Sequence, residues 1–460
     1  MRALILVFAV AAVTCFAQLT PEQQKAIDRI AADVLAETGV PSASVAVVKD
    51  RQIYAKAYGN ARLEPPMPAT AAMRYKIASN SKQLAASAIL LLAQERKVSL
   101  DDRVSRFLPE LTRAKEITIR ELLSHTSGYQ DYYPLDYVAP FMRKNVTAAE
   151  ILNQWAKIPL NFEPGTKWQY SNTNYVIVGQ IVEKITGRPL VDFLRTRFFV
   201  PLGMKTPIDV TRETWSAQDP TGYTQHALSP ARVVEPEGNG WMYAAGELAM
   251  TAGDLALWDR SLMEGTSLKE ESLKALTTEV LLKGGSGTRY ALGLEIGTTA
   301  REKRRWSHSG GASGFVSRNT MFPDDGISIT VLTNGEGRAQ EAIAKKIEEL
   351  LLGPAADPDG APALERARRL FTGLQKGQLE KSLIDSDLES YFTPDVVKDF
   401  AESLELMGKP ESFTEGPHEE RGGMMYRGYA VKSGTKSIRI STYVTKDGKF
   451  SQFLITKAVQ

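Results

Sequence analysis

The chain has 460 residues, 43% hydrophobic and 24% charged, and its 56 basic and 54 acidic side chains leave a formal net charge of +2. So even a balance gives no electrostatic case for nucleic acid or a membrane surface, and the length is enough for two or three domains with sizeable cores. With four histidines and one cysteine, Cys15, there is no cluster of metal-ligand spacing, so neither a metal nor another cofactor is expected.

Residues 1–17, MRALILVFAVAAVTCFA, place Arg2 before an apolar run from Leu4 to Val13 and a small-x-small site ending at Ala17. This reads as a secretory signal peptide, which implies an exported protein with no membrane-spanning segment after cleavage. The rival reading, an anchor helix, is weakened by a run well under the ~20 residues that a spanning helix needs. Lipid attachment at Cys15 is a minor reading, because Ala12-Val13-Thr14 fits the usual leucine-plus-small pattern poorly. Cleavage after Ala17 would leave no thiol, excluding disulfides and cysteine nucleophiles together.

Further along, Ser42–Val48 and Gln52–Gly59 read as a β-hairpin, followed by a long apolar helix from Ser81 to Arg96. Thr118 and Glu121 stand at capping-box spacing before a short helix that runs into a loop at Gly128. In NTNYVIVGQIVEKITG, Tyr175, Val178, Ile181, Val182 and Ile185 recur at helical spacing up to Gly187, a second buried helix. A late hairpin, Phe315–Phe322 and Ile327–Asn334, precedes a helix from about Gln340 to Leu352. Strands at both ends with helices between them predict an α/β sandwich, with one central antiparallel sheet flanked by helices beside an all-helical region. Residues 354–363, rich in proline and glycine, read as a linker between a domain over 18–353 and a small α+β domain over 364–460, helices first and then a meander.

Ser79 and Lys82 are three apart, so on a helix they share a face, and a buried lysine of depressed pKa can take a proton from a hydroxyl. Alone, S-x-x-K is a weak signal, since a helix start followed by a solvated lysine has the same text. Tyr170 and Asn172 open the second buried helix, where capping is the plain alternative. His308, Gly310 and Gly311 lie on an expected strand whose small residues allow a ligand close to the backbone; a turn is the plain alternative. His125, in HTSGY, reads as structural, bonding the loop at a helix end.

Taken together and in this order, Ser79-Asn80-Ser81-Lys82, Tyr170-Ser171-Asn172 and His308-Ser309-Gly310 resemble the S-x-x-K, Y-x-N and K-T-G elements of the serine β-lactamase and penicillin-binding-protein superfamily, in its class C-like branch. LLSHTSGY, YAAGELAMTAGDLALW and YALGLEI look like text of the same branch, and the resemblance runs from about Thr20 to Leu352. It implies that Ser79 is acylated, with Ser81 a bystander, and that Lys82 and Tyr170 share base and acid work. Asn172 would orient the lysine, and the N–H groups of Ser79 and Gly311 would form the oxyanion hole. The implied function is an exported serine hydrolase acting on a D-amino-acid peptide or a small ester as its small-molecule or peptide substrate.

His308 stands where β-lactamases carry lysine, and a neutral histidine offers less field for a substrate carboxylate, so β-lactam hydrolysis is the less favoured activity. Arg318 is a candidate replacement cation whose direction the sequence leaves open. The tail resembles a cone-shaped nuclear-transport-factor-like fold and is expected to be accessory. A contrasting reading is a non-catalytic binding protein on the same fold; the joint presence of Ser79, Lys82, Tyr170 and Asn172 favours the enzyme.

Overall fold

A computed structural model describes residues 18–133, 138–226, 229–299, 302–353, 359–421 and 423–457. The signal peptide expected over 1–17 and residues 354–358 of the expected linker lie outside the described residues. The chain divides into two compact units between residues 355 and 356.

The first unit opens with helix α1 (Pro21–Thr38), then strands β1 (Ser42–Lys49), β2 (Gln52–Arg62), β3 (Met67–Pro68) and β4 (Tyr75–Lys76). Helix α2 (Ser81–Gln94) leads to α3 (Ile119–Leu123), α4 (Ala148–Trp155), α5 (Asn172–Thr186), α6 (Leu190–Leu194) and α7 (Val200–Leu202). Short strands β5 (Ile208–Asp209), β6 (Tyr223–Thr224) and β7 (Arg232–Val233) precede α8 (Tyr243–Gly246), β8 (Leu248–Met250), α9 (Ala252–Met263) and α10 (Glu270–Thr277). Strands β9 (Glu295–Thr298), β10 (Arg304–Ala312), β11 (Phe315–Phe322) and β12 (Ile327–Thr333) and helix α11 (Ala339–Leu352) close the unit.

The main sheet is antiparallel, with strand order β3-β2-β1-β12-β11-β10-β9, so β1 from the start of the unit pairs with β12 from its end. β1 and β12 are buried along almost their whole length, which suits their runs of valine and isoleucine at the sheet centre. Alternation splits their side chains between two cores. Val45, Val47, Ile329 and Val331 pack with Ile27 and Val34 of α1 and Ile343 and Ile347 of α11. Ala46, Val48 and Leu332 join the larger core built on α2, α5 and α9. The α/β sandwich, both hairpins and the expected helices are therefore present. The β1–β2 turn is made by Asp50 and Arg51, both at positive φ (48° and 68°), the backbone that a two-residue hairpin turn requires.

The second unit contains α12 (Gly360–Gln375), α13 (Ser386–Tyr391) and α14 (Pro394–Glu405), followed by β13 (Ser412–Arg421), β14 (Met424–Ser433), β15 (Lys436–Val444) and β16 (Phe450–Lys457) in a four-stranded meander. Two expectations need correction. The stretch read as linker is helical from Gly360 on, because Pro362 falls in the first turn of α12, where an amide N–H has no helical partner to lose. β13 was not expected from SFTEGPHEER; its register shifts between Glu415 and His418, so a bulge on an edge strand absorbs Gly416-Pro417. Among the described residues no helix is long and apolar enough to cross a membrane.

Candidate active site

Ser79 lies in a single 3-10 turn, Ala78–Asn80, that feeds straight into α2. Ala78 has φ of +48°, a conformation that costs a non-glycine residue energy and persists only where its surroundings impose it. They do so here through hydrogen bonds from Asn80 Nδ2 to Ser317 Oγ at 2.9 Å and from Ser317 Oγ to the Ile77 carbonyl at 2.8 Å. Both tie the turn to β11. Strand β10 presses on it as well: a Cβ at Gly310 would sit 2.3 Å from the Ile77 carbonyl oxygen and 3.0 Å from the Ser79 nitrogen. Gly310 thus serves backbone packing, whereas a Cβ at Gly311 would meet nothing within 4 Å and would point into open space. Of the two glycines expected to leave a ligand room beside the backbone, only Gly311 does so. Ser81 is buried, and its Oγ accepts the Leu248 N–H at 3.3 Å, which fastens α2 to β8.

Lys82 is fully buried, with Nζ 2.9 Å from Ser79 Oγ, 2.8 Å from Asn172 Oδ1 and 2.7 Å from the Ala245 carbonyl oxygen. Burial pulls its ammonium down to about 7, against an opposing pull from Asp131. Two of the three neighbours can only accept hydrogen bonds. A neutral amine must spend both N–H groups on them, which leaves its lone pair facing Ser79 Oγ.

Asn172 is held in the orientation that this requires. Its backbone N–H donates to Asp131 Oδ1 at 2.9 Å, and its Nδ2 donates to the two Asp131 oxygens at 3.2 and 3.3 Å, so Oδ1 is turned to Lys82. Asp131 was not foreseen. It sits in an irregular loop, 41 residues from Asn172, and no periodicity marks it. Burial raises its carboxyl above the usual carboxylate range.

The segment before Asn172 is clamped by His125, itself at φ of +59°. The His125 carbonyl accepts the Gln169 N–H at 3.0 Å and its Nδ1 accepts the Ser171 N–H at 3.2 Å, while its ring lies 4.3 Å from that of Tyr170. Burial drives the His125 pKa well below the ordinary value, so the imidazole is a neutral structural clamp. Tyr170 lines the same cleft as Ser79, and Lys82 Nζ stands 4.9 Å from its ring centre. Burial lifts the Tyr170 phenol above its ordinary range, so the hydroxyl keeps its proton.

His308 is buried, with Nε2 2.8 Å from the Tyr290 hydroxyl and Nδ1 2.5 Å from the Ser309 carbonyl oxygen. A carbonyl can only accept, so Nδ1 carries the proton and Nε2 accepts from Tyr290. Burial also lowers the His308 pKa, so the ring is neutral. Arg318 does not restore the missing cation. In the β10–β11 register His308 faces Asn319 while Arg318 faces Ser309, on the other side of the sheet, where its guanidinium meets Glu295 at 3.3 Å and Glu341 at 3.5 Å.

Lys82 thus contacts Ser79 and Asn172 directly and stands over the Tyr170 ring, Gly310 supports the turn, and the His308 ring lies 6.2 Å from that of Tyr170. A cleft of about 440 Å³ opens over them, lined by Ser79, Asp131, Tyr132, Tyr133, Gln169, Tyr170, Asn172, Met242, Ala245 and Gly311. Among the described residues no group of three or more His, Cys, Asp or Glu side chains is placed to hold a metal ion.

The Beta-lactamase family model matches residues 27–353, a span that contains every residue of this cleft. The chain belongs to the serine β-lactamase and penicillin-binding-protein superfamily. Within that superfamily it is 28% identical over 337 residues to penicillin-binding protein 4* of Bacillus subtilis (strain 168), covering 70% of this chain and 74% of that protein. The D-amino acid amidase of Ochrobactrum anthropi SV3 is similar at 26% identity and a TM-score of 0.63, over 72% of this chain and 98% of its own. A D-stereospecific amidohydrolase from Streptomyces sp. matches at 27% identity and a TM-score of 0.61, over 72% of this chain and 99% of its own. Members of the superfamily of this kind are serine hydrolases.

Proposed function

We propose that this protein hydrolyses an amide or ester through an acyl-enzyme on Ser79. The observation that carries the reading is Lys82 Nζ at 2.9 Å from Ser79 Oγ, with its two other neighbours both able only to accept hydrogen bonds. Lys82 takes the hydroxyl proton as Oγ bonds to the substrate carbonyl carbon, and the carbonyl π pair moves onto oxygen. The N–H groups of Ser79 and Gly311 receive that oxyanion, at ~2.7–4 kcal/mol of transition-state stabilisation per donor. Collapse breaks the bond to the leaving nitrogen or oxygen, which takes the proton back from Lys82, directly or through the Tyr170 hydroxyl. Water then repeats the sequence on the acyl-enzyme, leaving the acid product and free Ser79.

D-amino-acid peptides or amides and small esters are the substrate classes we favour. The two amidohydrolase relatives support the first class. The neutral His308 and the turned-away Arg318 weigh against β-lactams, whose carboxylate finds no cation here among the described residues. The same reading makes residues 1–17 an export signal and the residues beyond 363 an accessory domain.

Incubating the protein with a fluorophosphonate and mapping the adduct by mass spectrometry tests the chemistry. We expect one adduct, on Ser79, and none in Ser79→Ala. Labelling that persists in Ser79→Ala, or is absent from the native protein, refutes the reading. A panel of D-alanyl peptides, p-nitrophenyl butyrate and nitrocefin then ranks the substrate classes, with nitrocefin expected last.

A further inference from the structure

We propose that the second unit binds a small carboxylate, gripped by the edge of the Arg366 guanidinium that Nε and Nη2 form. The site lies outside the Ser79 cleft and stands independently of the acyl-enzyme.

Arg366 is on α12, four residues before Leu370, which is fully buried in the core of the unit, so the two share a helix face. Its guanidinium rests against the turn from β15 to β16: a Cβ at Gly448 would lie 3.5 Å from its Cζ and 3.6 and 3.7 Å from Nη2 and Nη1. Nε and Nη2 are both shut off from water, and neither has a hydrogen-bond partner among the described residues. An arginine cannot escape such a position by losing its proton, so the donors of a full charge are buried there unsatisfied. Donors buried in this way destabilise the fold, and a bound acceptor offsets that cost.

The identity of the two atoms names the ligand. Nε and Nη2 lie along one edge of the guanidinium plane, the edge that holds both oxygens of a carboxylate in parallel hydrogen bonds. Other arginines of this chain use it so. Arg120 donates from Nε and Nη2 to the two oxygens of Asp101 at 3.0 and 3.3 Å, and Arg74 donates from the same pair to the two oxygens of Asp219. Arg366 presents this edge on the core side of α12, where no side chain among the described residues accepts from it.

The surroundings suit a single negative charge. Arg427 and Tyr429 face the same side of β14, where Tyr429 packs with Leu370 and Phe450. Arg427 has its carboxylate in Glu415 at 2.5 Å, so the charge that a ligand would balance is that of Arg366, and a monoanion balances it. The Tyr429 hydroxyl is also buried with no hydrogen-bond partner among the described residues. Burial lifts its phenol above the ordinary range and the charges of Arg427 and Arg366 pull it back, so it stays protonated within the field of both guanidiniums. A hydroxyl donor beside the open edge of a guanidinium is a donor set for an oxyanion. The competing explanation is that Arg366 only covers the turn with its apolar stem. A stem that only packs keeps its charged head in water, whereas Nε and Nη2 of Arg366 are turned away from it. The residue as a whole is part-buried, which places the site at the rim of the core, where a ligand can enter.

Calorimetric titration of the full chain with sodium benzoate, and separately with sodium phosphate, tests the site. We expect benzoate to bind more tightly than phosphate, and Arg366→Gln to weaken benzoate by about tenfold or more, the size expected for one hydrogen bond to a charged group. Arg366→Lys keeps the charge without the planar edge and should bind benzoate as weakly as Arg366→Gln does. A melting arm guards against variants that only unfold. Arg366→Met keeps an unbranched stem and removes the buried charge, so without ligand it should melt at or above the native temperature, and benzoate should raise the melting temperature of the native protein but not of this variant. Absent benzoate binding, binding unchanged in Arg366→Gln, native-like binding in Arg366→Lys, or tighter binding of phosphate overturns the carboxylate site. An Arg366→Met variant that melts below the native protein makes Arg366 a packing residue and overturns it as well.

Discussion

At Lys82, function follows from where two hydrogen atoms must go. Asn172 Oδ1 and the Ala245 carbonyl accept and cannot donate, so deprotonation makes the amine a base toward Ser79 and toward no other group that it touches. With burial lowering the pKa from 10.5 to about 7, the ammonium form dominates below neutrality and cannot accept the hydroxyl proton. We therefore expect kcat/KM to rise with pH along a single ascending limb centred near 7. Lys82→Arg, which stays protonated, should lose activity ~10²–10⁴-fold. A flat profile from pH 5.5 to 8.5, or an arginine variant within tenfold of native, contradicts a lysine base. The sequence made this pair legible because a spacing of three on a helix is a geometric statement. It could not show Asp131, whose position depends on an irregular loop meeting a helix start far along the chain. Arg318 lies between these cases. A two-residue turn at Ser313-Gly314 pairs His308 with Asn319, and that parity already puts Arg318 on the opposite face from His308.

Between β10 and the Ser79 turn, two adjacent glycines have different tasks, and substitution should separate them. Gly310→Ala drives a methyl into the Ile77 carbonyl and the Ser317 hydroxyl, at 2.3 and 2.5 Å, so the turn or the strand must move. A displacement of the nucleophile by even ~1 Å costs about 10²-fold in rate, and this variant should show such a loss together with a lowered melting temperature. Gly311→Ala meets no neighbour and should melt as the native protein does. Equal melting losses in the two variants would contradict the assignment. On the same sheet, Asp259 of α9 is fully buried against Asn319 Nδ2 at 2.7 Å and Thr330 Oγ1 at 3.2 Å, and burial raises its pKa to about 7. Thr330 also donates to Asn319 Oδ1 at 2.9 Å, which leaves its oxygen free to accept a proton from a neutral Asp259 carboxyl. The folded state thus holds a proton that the unfolded chain releases near 3.8, so this contribution to stability is complete below about 3.8 and is lost as pH rises through about 7. Asp259→Asn keeps the donor and cannot titrate. It should match the native protein near pH 5 and exceed it at pH 8.5, by at most about 3 kcal/mol for the stretch from pH 5 to about 7. A native-minus-variant difference that is independent of pH would rule out a titrating Asp259. Strand β13 shows what patterns cannot supply at this scale: Gly416-Pro417 reads as a loop in isolation, and only an edge position makes a bulge there affordable.

Across the molecule, every residue of the proposed chemistry lies in one unit. Ser79, Lys82, Asp131, Tyr170, Asn172, His308 and Gly311 fall inside the matched span of 27–353, and the sheet that positions them is closed by β1 and β12 of that same unit. The second unit has what a domain needs to fold by itself. Leu370, Phe371 and Leu374 of α12 and Leu404 of α14 pack with Phe413, Tyr429, Val431, Ile440, Phe450 and Phe453 of the meander in a core of their own. Its most deeply buried charge, Arg427, finds its carboxylate partner in Glu415 at 2.5 Å, across the β13–β14 pair. A core and an internal ion pair drawn from one continuous stretch argue for autonomy more strongly than a proline-rich boundary does. Residues 359–457 expressed alone should therefore unfold in urea in one cooperative step, with a slope of ~1–3 kcal/mol per molar. Residues 18–353 alone should still take the fluorophosphonate on Ser79, at a rate within about threefold of the full chain, since kcal-scale losses would need contacts removed from the site itself. If the isolated tail melts without cooperativity, or the shortened enzyme folds but no longer labels, the second unit is part of the catalytic apparatus and not an accessory to it.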